Sequence, residues 1–477
     1  MSRGCFRRRG TLLELGRGVG QRVVLAAACA CSGADRSTLS AIDPVVPVAL
    51  DENPAPDVVE VTLRAGLGSK QYAGAARTSV WTYNDSVPGP LIEGRVGDRL
   101  RVHFSNELPE DTTIHWHGLR LPAEMDGTLA VQSPVPAGGT FEYEFELKDA
   151  GLFWFHPHVR SDLQVEKGLH GVLRVTGEGE PEVDERHVLV LDDVRILADG
   201  TLPEYLDDES RMLGRQGNIL LVNGVSQPTF RWRSGTLQRL QIVNVANGRF
   251  FNLELPGYSW RVIGTDGGFI PQPYDTELLL ISPGERYDVV LVATGSPGTE
   301  VTLMNEPYER GHGTGNDPAL ALAKFVVNDE PALDHRPLPS EFPALERLGD
   351  GPTDHEMTLD EGFVDGVLAF TINGDTYPNV PPLIVPAGQV RRLEVRNTSE
   401  MDHPFHLHGT FFQVLDVDGR PTLSETLANK DTVIVPQRSA VRLVSRFQEP
   451  GRWMYHCHIF EHAEGGMMGE IEVAEQP

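Results

Sequence analysis

The chain has 477 residues and a formal net charge of −27, from 41 basic and 68 acidic side chains. This length is enough for about three domains of ordinary size, each with its own hydrophobic core. An acidic surface repels nucleic-acid phosphates and attracts cations, so the charge argues against a nucleic-acid partner.

Residues 1–31 are predicted to be an export signal. They combine the basic run Arg7-Arg8-Arg9 with a short apolar run that ends at Cys31. The stretch Leu25-Ala26-Ala27-Ala28-Cys29 resembles a lipoprotein cleavage box with its leucine one place early, which leaves lipid attachment at Cys29 or Cys31 open. We therefore expect an exported protein, periplasmic or at the cell surface, whose membrane contact is limited to such an anchor.

Beyond the leader, Cys457 is the single cysteine, so no disulfide can form within the folded body. Residues 32–53 are rich in small residues and proline and are predicted to be a flexible tether. The body then shows short alternating runs such as Phe141-Glu142-Tyr143-Glu144-Phe145-Glu146, separated by proline and glycine turns. A period of two is typical of half-buried strands, and sustained helical periodicity is hard to find. The pattern favours an all-β protein made of β-sandwiches.

An internal repeat divides the body into three parts. A Gly-containing element with a following strand pattern occurs at residues 88–106, 223–244 and 373–397. A second element begins at Pro136, Pro283 and Pro436. Copies more than a hundred residues apart indicate tandem domains of one fold. The predicted domains are residues 54–178, 184–328 and 352–477, with a Pro- and Glu-rich linker at residues 329–351.

Histidines are distributed unevenly among the three copies. The first copy contains His115-Trp116-His117 and His156-Pro157-His158, and the third contains His403-Pro404-Phe405-His406-Leu407-His408 and His456-Cys457-His458. Sixteen histidines in this length would give about half a His-x-His pair by chance, whereas the chain has four. The second copy offers no comparable set, so we predict that it is a spacer without metal ligands.

The residue types at these positions indicate a metal centre. On a strand, His456 and His458 share one face and Cys457 points to the other, so one strand can serve two metal sites. Cys457, His462 and Met467 are three of the four ligands of a blue-copper centre, and the missing one is a second histidine. Zinc is an alternative, but structural zinc sites close with four ligands. The plain alternative is a buried strand whose histidines only form hydrogen bonds.

The four histidine motifs, in this order, resemble those of the three-domain multicopper oxidases, the bacterial laccase-like family. The resemblance covers nearly the whole body, including Pro283-Gly284-Glu285-Arg286-Tyr287-Asp288 and Lys430-Asp431-Thr432-Val433. It implies three tandem cupredoxin-like Greek-key β-sandwich domains. It also implies four copper ions: one type 1, one type 2 and two type 3.

Matching motif positions imply the ligands of each copper. The type 1 copper takes His403, Cys457, His462 and the axial Met467; the type 2 copper takes His115 and His406; the type 3 pair takes His117, His156, His158, His408, His456 and His458. Met468 could compete with Met467, but the spacing from Cys457 favours Met467.

The resemblance also implies a reaction. A donor gives single electrons to the type 1 copper, the electrons pass through the Cys457 backbone to His456 and His458, and dioxygen takes four electrons to become two waters. Asp126 matches a proton-relay acid of bacterial relatives, although an Asp-Gly turn would also explain it. A second relay acid usually follows the last type 1 histidine, where this chain has Ala463, so Glu464 is the expected substitute.

The donor is predicted to be an electron-rich phenol or aromatic compound, because an axial methionine favours easily oxidised donors. Oxidation of Cu(I), Fe(II) or Mn(II) in copper tolerance or metal homeostasis ranks second. Copper-oxidising relatives often carry a methionine-rich insertion, whereas this chain has nine methionines and no such cluster. Its acidic charge keeps this alternative open, because it attracts cations. A non-catalytic copper-binding protein would lack ligands, and none is missing. We expect a monomer whose partners are dioxygen and small reducing substrates.

Overall fold

The computed structural model describes residues 43–72, 77–203, 207–364, 366–422 and 427–475. The predicted export signal and lipid-attachment cysteines lie outside the described residues, as does the first half of the predicted tether, residues 32–42. Within the described ranges, no helix is both long and apolar enough to cross a bilayer. Strands dominate the rest, which confirms the all-β class.

The N-terminal sandwich consists of a sheet in the order β2-β1-β4-β6 and a sheet in the order β3-β8-β7-β5. Its strands are β1 (Val58–Gln71), β2 (Arg77–Tyr83), β3 (Leu91–Arg95), β4 (Arg99–Asn106), β5 (His115–His117), β6 (Thr140–Glu146), β7 (Gly151–His156) and β8 (Gly171–Thr176). The 3₁₀ helix Ala123–Met125 and helix α1 (Ser161–Glu166) lie in its connections.

The middle sandwich follows residue 184. Its strands are β9 (Glu185–Val194), β10 (Ile219–Val222), β11 (Thr229–Trp232), β12 (Leu237–Asn244), β13 (Phe251–Glu254), β14 (Trp260–Thr265), β15 (Gly268–Thr276), β16 (Leu278–Ile281), β17 (Arg286–Val292), β18 (Glu300–Asn305) and β19 (Leu320–Val327). They form sheets in the orders β10-β9-β12-β17-β14-β15 and β11-β19-β18-β13-β16. Helix α2 (Asp208–Leu213) and the 3₁₀ helix Thr314–Asn316 are inserted between strands.

The C-terminal sandwich begins at residue 355. Its strands are β20 (His355–Val364), β21 (Val367–Ile372), β22 (Leu383–Pro386), β23 (Val390–Asn397), β24 (His403–Leu407), β25 (Phe412–Val417), β26 (Arg420–Pro421), β27 (Thr432–Val435), β28 (Ala440–Arg446), β29 (Gly451–Cys457) and β30 (Met468–Ala474). They form sheets in the orders β21-β20-β23-β28-β25-β26 and β22-β30-β29-β24-β27, and helix α3 (Phe460–Glu464) joins β29 to β30.

The three sandwiches share one pairing pattern. Each first strand pairs in parallel with a later strand of its own sandwich: β1 with β4, β9 with β12, and β20 with β23. A second parallel pair recurs as β3 with β8, β11 with β19, and β22 with β30. Parallel neighbours that are far apart in sequence need crossover connections, so the three units have the same topology. The exact domain boundaries stay predictions.

The hydrophobic core shows where the sandwiches meet. Buried apolar residues of the N-terminal and C-terminal sandwiches form one continuous cluster, whereas the middle sandwich has a separate one. The predicted linker has no helix or strand, but it packs on both neighbours: Phe342 stacks on Phe269 at 4.5 Å, and Glu346 pairs with Arg446 at 2.7 Å. The histidine motifs therefore lie at a rigid junction between the first and last sandwiches.

Candidate copper centre

The sheet register aligns the histidine motifs across neighbouring strands. In the N-terminal sandwich, His115 on β5 pairs with His156 at the end of β7. In the C-terminal sandwich, His406 on β24 pairs with His456 on β29. Phe405 pairs with Cys457 in the same ladder. Because the strands are antiparallel and alternate in side-chain direction, each pairing places two imidazoles on the same face.

Eight buried histidines from the two outer sandwiches form a histidine cluster at this junction: His115, His117, His156, His158, His406, His408, His456 and His458. His408 Nε2 lies 3.1 Å from His456 Nε2, and His117 Nδ1 lies 3.2 Å from His458 Nε2. Within it, three sets of three histidines each have ligand atoms within 4.8 Å of one another. The structure thus brings together all eight histidines predicted as type 2 and type 3 ligands.

The electrostatics of the histidine cluster fit a metal. Burial, followed by the other histidines, holds the pKa of His156, His158 and His458 well below the usual range. A neutral imidazole has one nitrogen without a proton, and this nitrogen can only accept a hydrogen bond. Two such nitrogens that face each other cannot bond to each other, so their close approach indicates a cation between them. The Nε2 atoms of His115, His156, His158 and His406 are buried with no hydrogen-bond partner. Imidazole suits copper, and the residues present fit it.

A second set of ligands lies on the opposite face of β29. Cys457 Sγ is 3.5 Å from His403 Nδ1 and 3.7 Å from His462 Nδ1, and the two nitrogens are 3.2 Å apart. All three side chains are fully buried. Burial raises the pKa of the Cys457 thiol, so a thiolate here requires a nearby cation. Met467 is also buried, and its carbonyl accepts the Cys457 amide at 3.1 Å.

Acceptors around the histidine cluster fix the orientation of its imidazoles. His408 Nδ1 donates to Asp126 Oδ2 at 2.9 Å, and His115 Nδ1 donates to the Asp126 carbonyl at 2.8 Å. Burial alone would raise the pKa of Asp126, but His408 and His115 hold it well below its usual range. With one nitrogen donating outward, the other is left free to bind a metal. Asp126 therefore lies where the prediction needs it, and its relay role stays a prediction.

Asp431 is the corresponding acceptor on the other side, and the sequence analysis gave it no role. Its Oδ1 is 3.2 Å from His117 Nε2, and its carbonyl accepts from His406 Nδ1 at 2.9 Å. Arg286 of the middle sandwich binds both carboxylate oxygens of Asp431 at 2.6 Å. The motifs around Arg286 and Asp431 carried the family resemblance, which was the available signal for both residues.

The middle sandwich consequently does more than separate its neighbours. Besides Arg286, it places Gly284 against the ring of His458, where a Cβ would lie 2.7 Å from Cδ2 and the backbone φ is +87°. Glycine is the residue that fits both the close approach and the left-handed backbone. The predicted spacer packs against the histidine cluster and hydrogen-bonds to Asp431, which contacts two of its imidazoles.

Glu464 is not brought to the histidine cluster. It is exposed, and its Oε1 accepts a hydrogen bond from the Ser161 amide at 2.9 Å. It lines a cavity of about 230 Å³ with Asp162, Glu461 and Phe370 on the outer side of α3. Its expected role as a substitute for the acid missing at Ala463 therefore has no geometric support among the contacts described.

Helix α2 covers the type 1 ligand set, which no sequence motif predicted. His462 Nε2 donates to the carbonyl of Met212 at 3.1 Å, and Phe370 stacks on the His462 ring with centroids 3.8 Å apart. Arg310, from the middle sandwich, donates to the neighbouring carbonyl of Leu213. Backbone carbonyls carry no side-chain signal, so sequence patterns could not identify this contact.

Comparison with known proteins identifies the family. Residues 67–180, 194–321 and 349–477 each match a family model described as multicopper oxidase. Multicopper oxidase MmcO of Mycobacterium tuberculosis is 32% identical over 439 residues, covering 84% of each chain. Multicopper oxidase mco of Staphylococcus aureus is 27% identical over 428 residues, covering 87% of this chain and 88% of that one. The chain belongs to the multicopper oxidase family.

A solved structure agrees with this assignment. The multicopper oxidase from Campylobacter jejuni, described as a metallo-oxidase, has a TM-score of 0.81 and 29% identity, covering 92% of this chain and 96% of that one. The predicted family and cupredoxin-type fold are thereby confirmed. This chain is a copper-dependent oxidoreductase that uses dioxygen and a reducing substrate.

Proposed function

We propose that this oxidase takes its electrons from small reduced metal ions, Cu(I), Fe(II) or Mn(II), the donor class that the sequence ranked second. The observation that carries the proposal is the covering of His462. Its ring is fully buried, and the Nε2 edge meets the Met212 carbonyl. A substituted phenol cannot touch an imidazole edge that α2 covers, whereas a small ion needs only a site nearby.

The cavity beside α3 offers a small cation such a site. Asp162, Glu461 and Glu464 line it, and two arginines are also present, Arg160 and Arg211. Burial, and then Glu464, raise the pKa of Asp162 to about 7. A bound cation would relieve both effects, because opposite charge favours the ionised form. Carboxylate oxygens suit Mn(II) and Fe(II) better than the soft Cu(I). Glu461 directly precedes His462, so the cavity lies next to the proposed type 1 ligands.

The ligand assignment from the sequence is retained in this proposal. Copper bound by these ligands supplies one-electron chemistry at the Cys457 end and dioxygen reduction to water at the histidine cluster. The chain's own contribution is geometric: β29 joins the Cys457 side chain to His456 and His458 through one stretch of backbone. Burial of all twelve predicted ligands excludes bulk water. The Asp126 carboxylate is a proton acceptor in hydrogen-bond contact with His408.

Laccase-like oxidation of phenols is the second candidate. It is favoured by Phe370, whose ring lines the cavity and also stacks on His462. An aromatic donor in the cavity could therefore reach the type 1 site through a ring face instead of the imidazole edge.

Oxygen uptake by the copper-loaded protein tests the proposal. Cu(I), Fe(II) and Mn(II) are compared with phenol and with 2,6-dimethoxyphenol as donors. Cys457→Ser is the control: it should abolish uptake with every donor and remove the absorption in the red that copper bound to the Cys457 thiolate gives. We expect at least one metal ion to give a higher kcat/KM than either phenol. If 2,6-dimethoxyphenol is instead the better donor, laccase-like activity replaces this proposal.

A further inference from the structure

Arg310 is a buried arginine beside the proposed type 1 ligands. Only 2% of the Arg310 surface is exposed. One guanidinium nitrogen lies 3.7 Å from Met401 Sδ, another donates to the Leu213 carbonyl, and the group lies 5.3 Å from the centroid of the Phe250 ring. Its own carbonyl accepts the Asp402 amide at 2.7 Å. Arg310 is therefore held between the segment before His403 and the end of α2.

This guanidinium has no ion-pair partner within 4.0 Å in the described parts of the chain. Asp402 contacts Arg310 through its backbone amide, but its carboxylate already accepts two other hydrogen bonds. Tyr308 donates to its Oδ2 at 2.7 Å, and the Gln437 amide donates to its Oδ1 at 2.8 Å. The similarly buried Arg286, by contrast, has a two-pronged pair with Asp431. Burying an unpaired charge costs free energy, and burial lowers the pKa of Arg310 to about 10.

The positive charge acts on the type 1 ligand set. The guanidinium approaches this set from two sides. Met401, its contact at 3.7 Å, lies two residues before His403, and Leu213, whose carbonyl it donates to, directly follows Met212. The outer nitrogens of the two histidines meet neutral acceptors, Ser399 Oγ at 2.9 Å and the Met212 carbonyl at 3.1 Å. Neither acceptor is a carboxylate, so nothing hydrogen-bonded to these imidazoles cancels the charge of Arg310.

We infer that Arg310 is a positioning residue that raises the reduction potential of the type 1 copper and holds α2 over His462. Reduction removes one positive charge from the metal, so a fixed positive charge in a water-poor site favours the reduced form. The inference rests on the proposed type 1 ligands, and it is independent of which donor the enzyme uses.

The test is a redox titration of the red absorption of copper-loaded protein with mediators of known potential. Arg310→Met keeps the length of the side chain and removes its charge. We expect the ratio of oxidised to reduced copper at a fixed potential to rise about tenfold, which equals about 59 mV for one electron. The wavelength of the red band should change little, because no ligand is altered.

Two further variants control this measurement. Arg438→Met removes an exposed arginine paired with Glu400 and should leave the ratio unchanged. Arg310→Lys keeps the charge, so the reduction potential of its type 1 copper should stay close to that of the parent. This variant also tests the inference if the methionine variant does not fold. An unchanged ratio in Arg310→Met, or an equal loss in Arg310→Lys, overturns the inference.

A copper-free measurement separates charge from packing. Without copper the guanidinium is a buried charge with no ion-pair partner within 4.0 Å among the described residues, so Arg310→Met should melt at the same temperature as the parent or higher. A clearly lower melting temperature together with an unchanged redox ratio would assign Arg310 to packing alone. Loss of the red band in the parent's Cys457→Ser variant is the separate check on the type 1 assignment.

Discussion

Asp126 connects two domains through single hydrogen bonds. Its side chain accepts from His408 of the C-terminal sandwich, and its backbone carbonyl accepts from His115 of the N-terminal sandwich. The carboxylate is 1% exposed and stays ionised because His408 and His115 outweigh the effect of burial on its pKa. One residue can therefore both orient an imidazole and hold a proton acceptor beside the histidine cluster.

Asp126→Asn should slow oxygen reduction with little loss of copper. The amide keeps the size of the carboxylate and removes its charge, and changes in such outer partners cost about 10- to 100-fold in activity or metal affinity. The measurement is oxygen uptake alongside copper content. Asp275→Asn is the matched control: it makes the same change at a half-exposed aspartate paired with Arg261, so we expect near-parent turnover. Unchanged turnover in Asp126→Asn would remove it from the relay.

At the scale of elements, α2 is a short helix whose last turn covers the edge of His462. It has six residues, begins after Asp207, whose side chain accepts the Ser210 amide, and ends at Gly214. Gly214 has a φ of +70°, and a Cβ there would lie 2.4 Å from Ile459 Cγ2. The end of α2 is therefore pressed against the segment that joins β29 to α3.

Gly214→Ala should displace α2 from His462. The added methyl meets Ile459, so we expect a loss of about 1–3 kcal/mol in the free energy of unfolding, the usual cost of overpacking, besides backbone strain. Gly257→Ala is the control, because its φ is +85° and nothing lies within 4 Å of the added atom. Urea unfolding of both variants measures the difference. Equal losses would show that α2 is not tightly packed there.

The same displacement bears on donor choice. With α2 moved, the edge of His462 becomes accessible, so 2,6-dimethoxyphenol should become a better donor relative to metal ions in Gly214→Ala. Oxygen uptake with both donor classes gives this ratio. A ratio equal to that of the parent would mean that α2 does not limit access.

Local pattern explains why β29 was predictable and α2 was not. Alternation on β29 places Cys457 opposite His456 and His458, and this follows from the sequence of one strand. The contact from α2 is made by the Met212 carbonyl, which any residue could supply. Arg310 lies in a loop, and its importance depends on Met401 and Leu213, which are about ninety residues away in either direction. Contacts of that kind depend on the folded chain and leave no periodic signal.

At the scale of the whole molecule, Arg286 joins the three sandwiches. It lies on β17 of the middle sandwich, donates to the Leu152 carbonyl of the N-terminal sandwich at 3.0 Å, and binds Asp431 of the C-terminal sandwich. Lys430 continues this network to Asp266 at 3.1 Å and Glu285 at 3.0 Å. The middle sandwich is thereby attached at the edge of the histidine cluster.

Arg286→Met should destabilise the copper-free protein strongly. Removing one partner of a buried ion pair leaves Asp431 uncompensated, at a typical cost of about 3–5 kcal/mol. The control is Arg261→Met, which breaks a more exposed pair with Asp275 and should cost about 0–1 kcal/mol. Calorimetric unfolding compares the two. Similar losses would show that the Arg286 pair adds no more than a surface pair.

Asp192 makes stability depend on pH. Burial, and then Asp193, raise the pKa of Asp192 to about 8 against the effect of Lys70, and His170 Nε2 lies 3.7 Å away. Between pH 6.5 and 8 the unfolded carboxyl is ionised while the folded one keeps its proton, so stability falls as pH rises. Below pH 6.5 the buried histidines, with lowered pKa values, give the opposite slope.

Asp192→Asn should flatten the decline between pH 6.5 and 8. Urea unfolding of copper-free protein across this range measures the slope. Asp275→Asn is the control, because Arg261 lowers the pKa of Asp275 and its carboxyl is ionised throughout this range. A slope in Asp192→Asn as steep as in the parent would contradict the prediction.

The pairing of His117 with His458 across 341 residues has a consequence for biosynthesis. The N-terminal histidines emerge from the ribosome long before their partners on β29, and β29 becomes part of a sheet only when β30 has been made. A nascent chain therefore has no complete ligand set until β30 has been synthesised. Copper binding at these ligands must follow the synthesis of β30, and loss of β30 would leave a chain that carries most of its ligands but cannot assemble them.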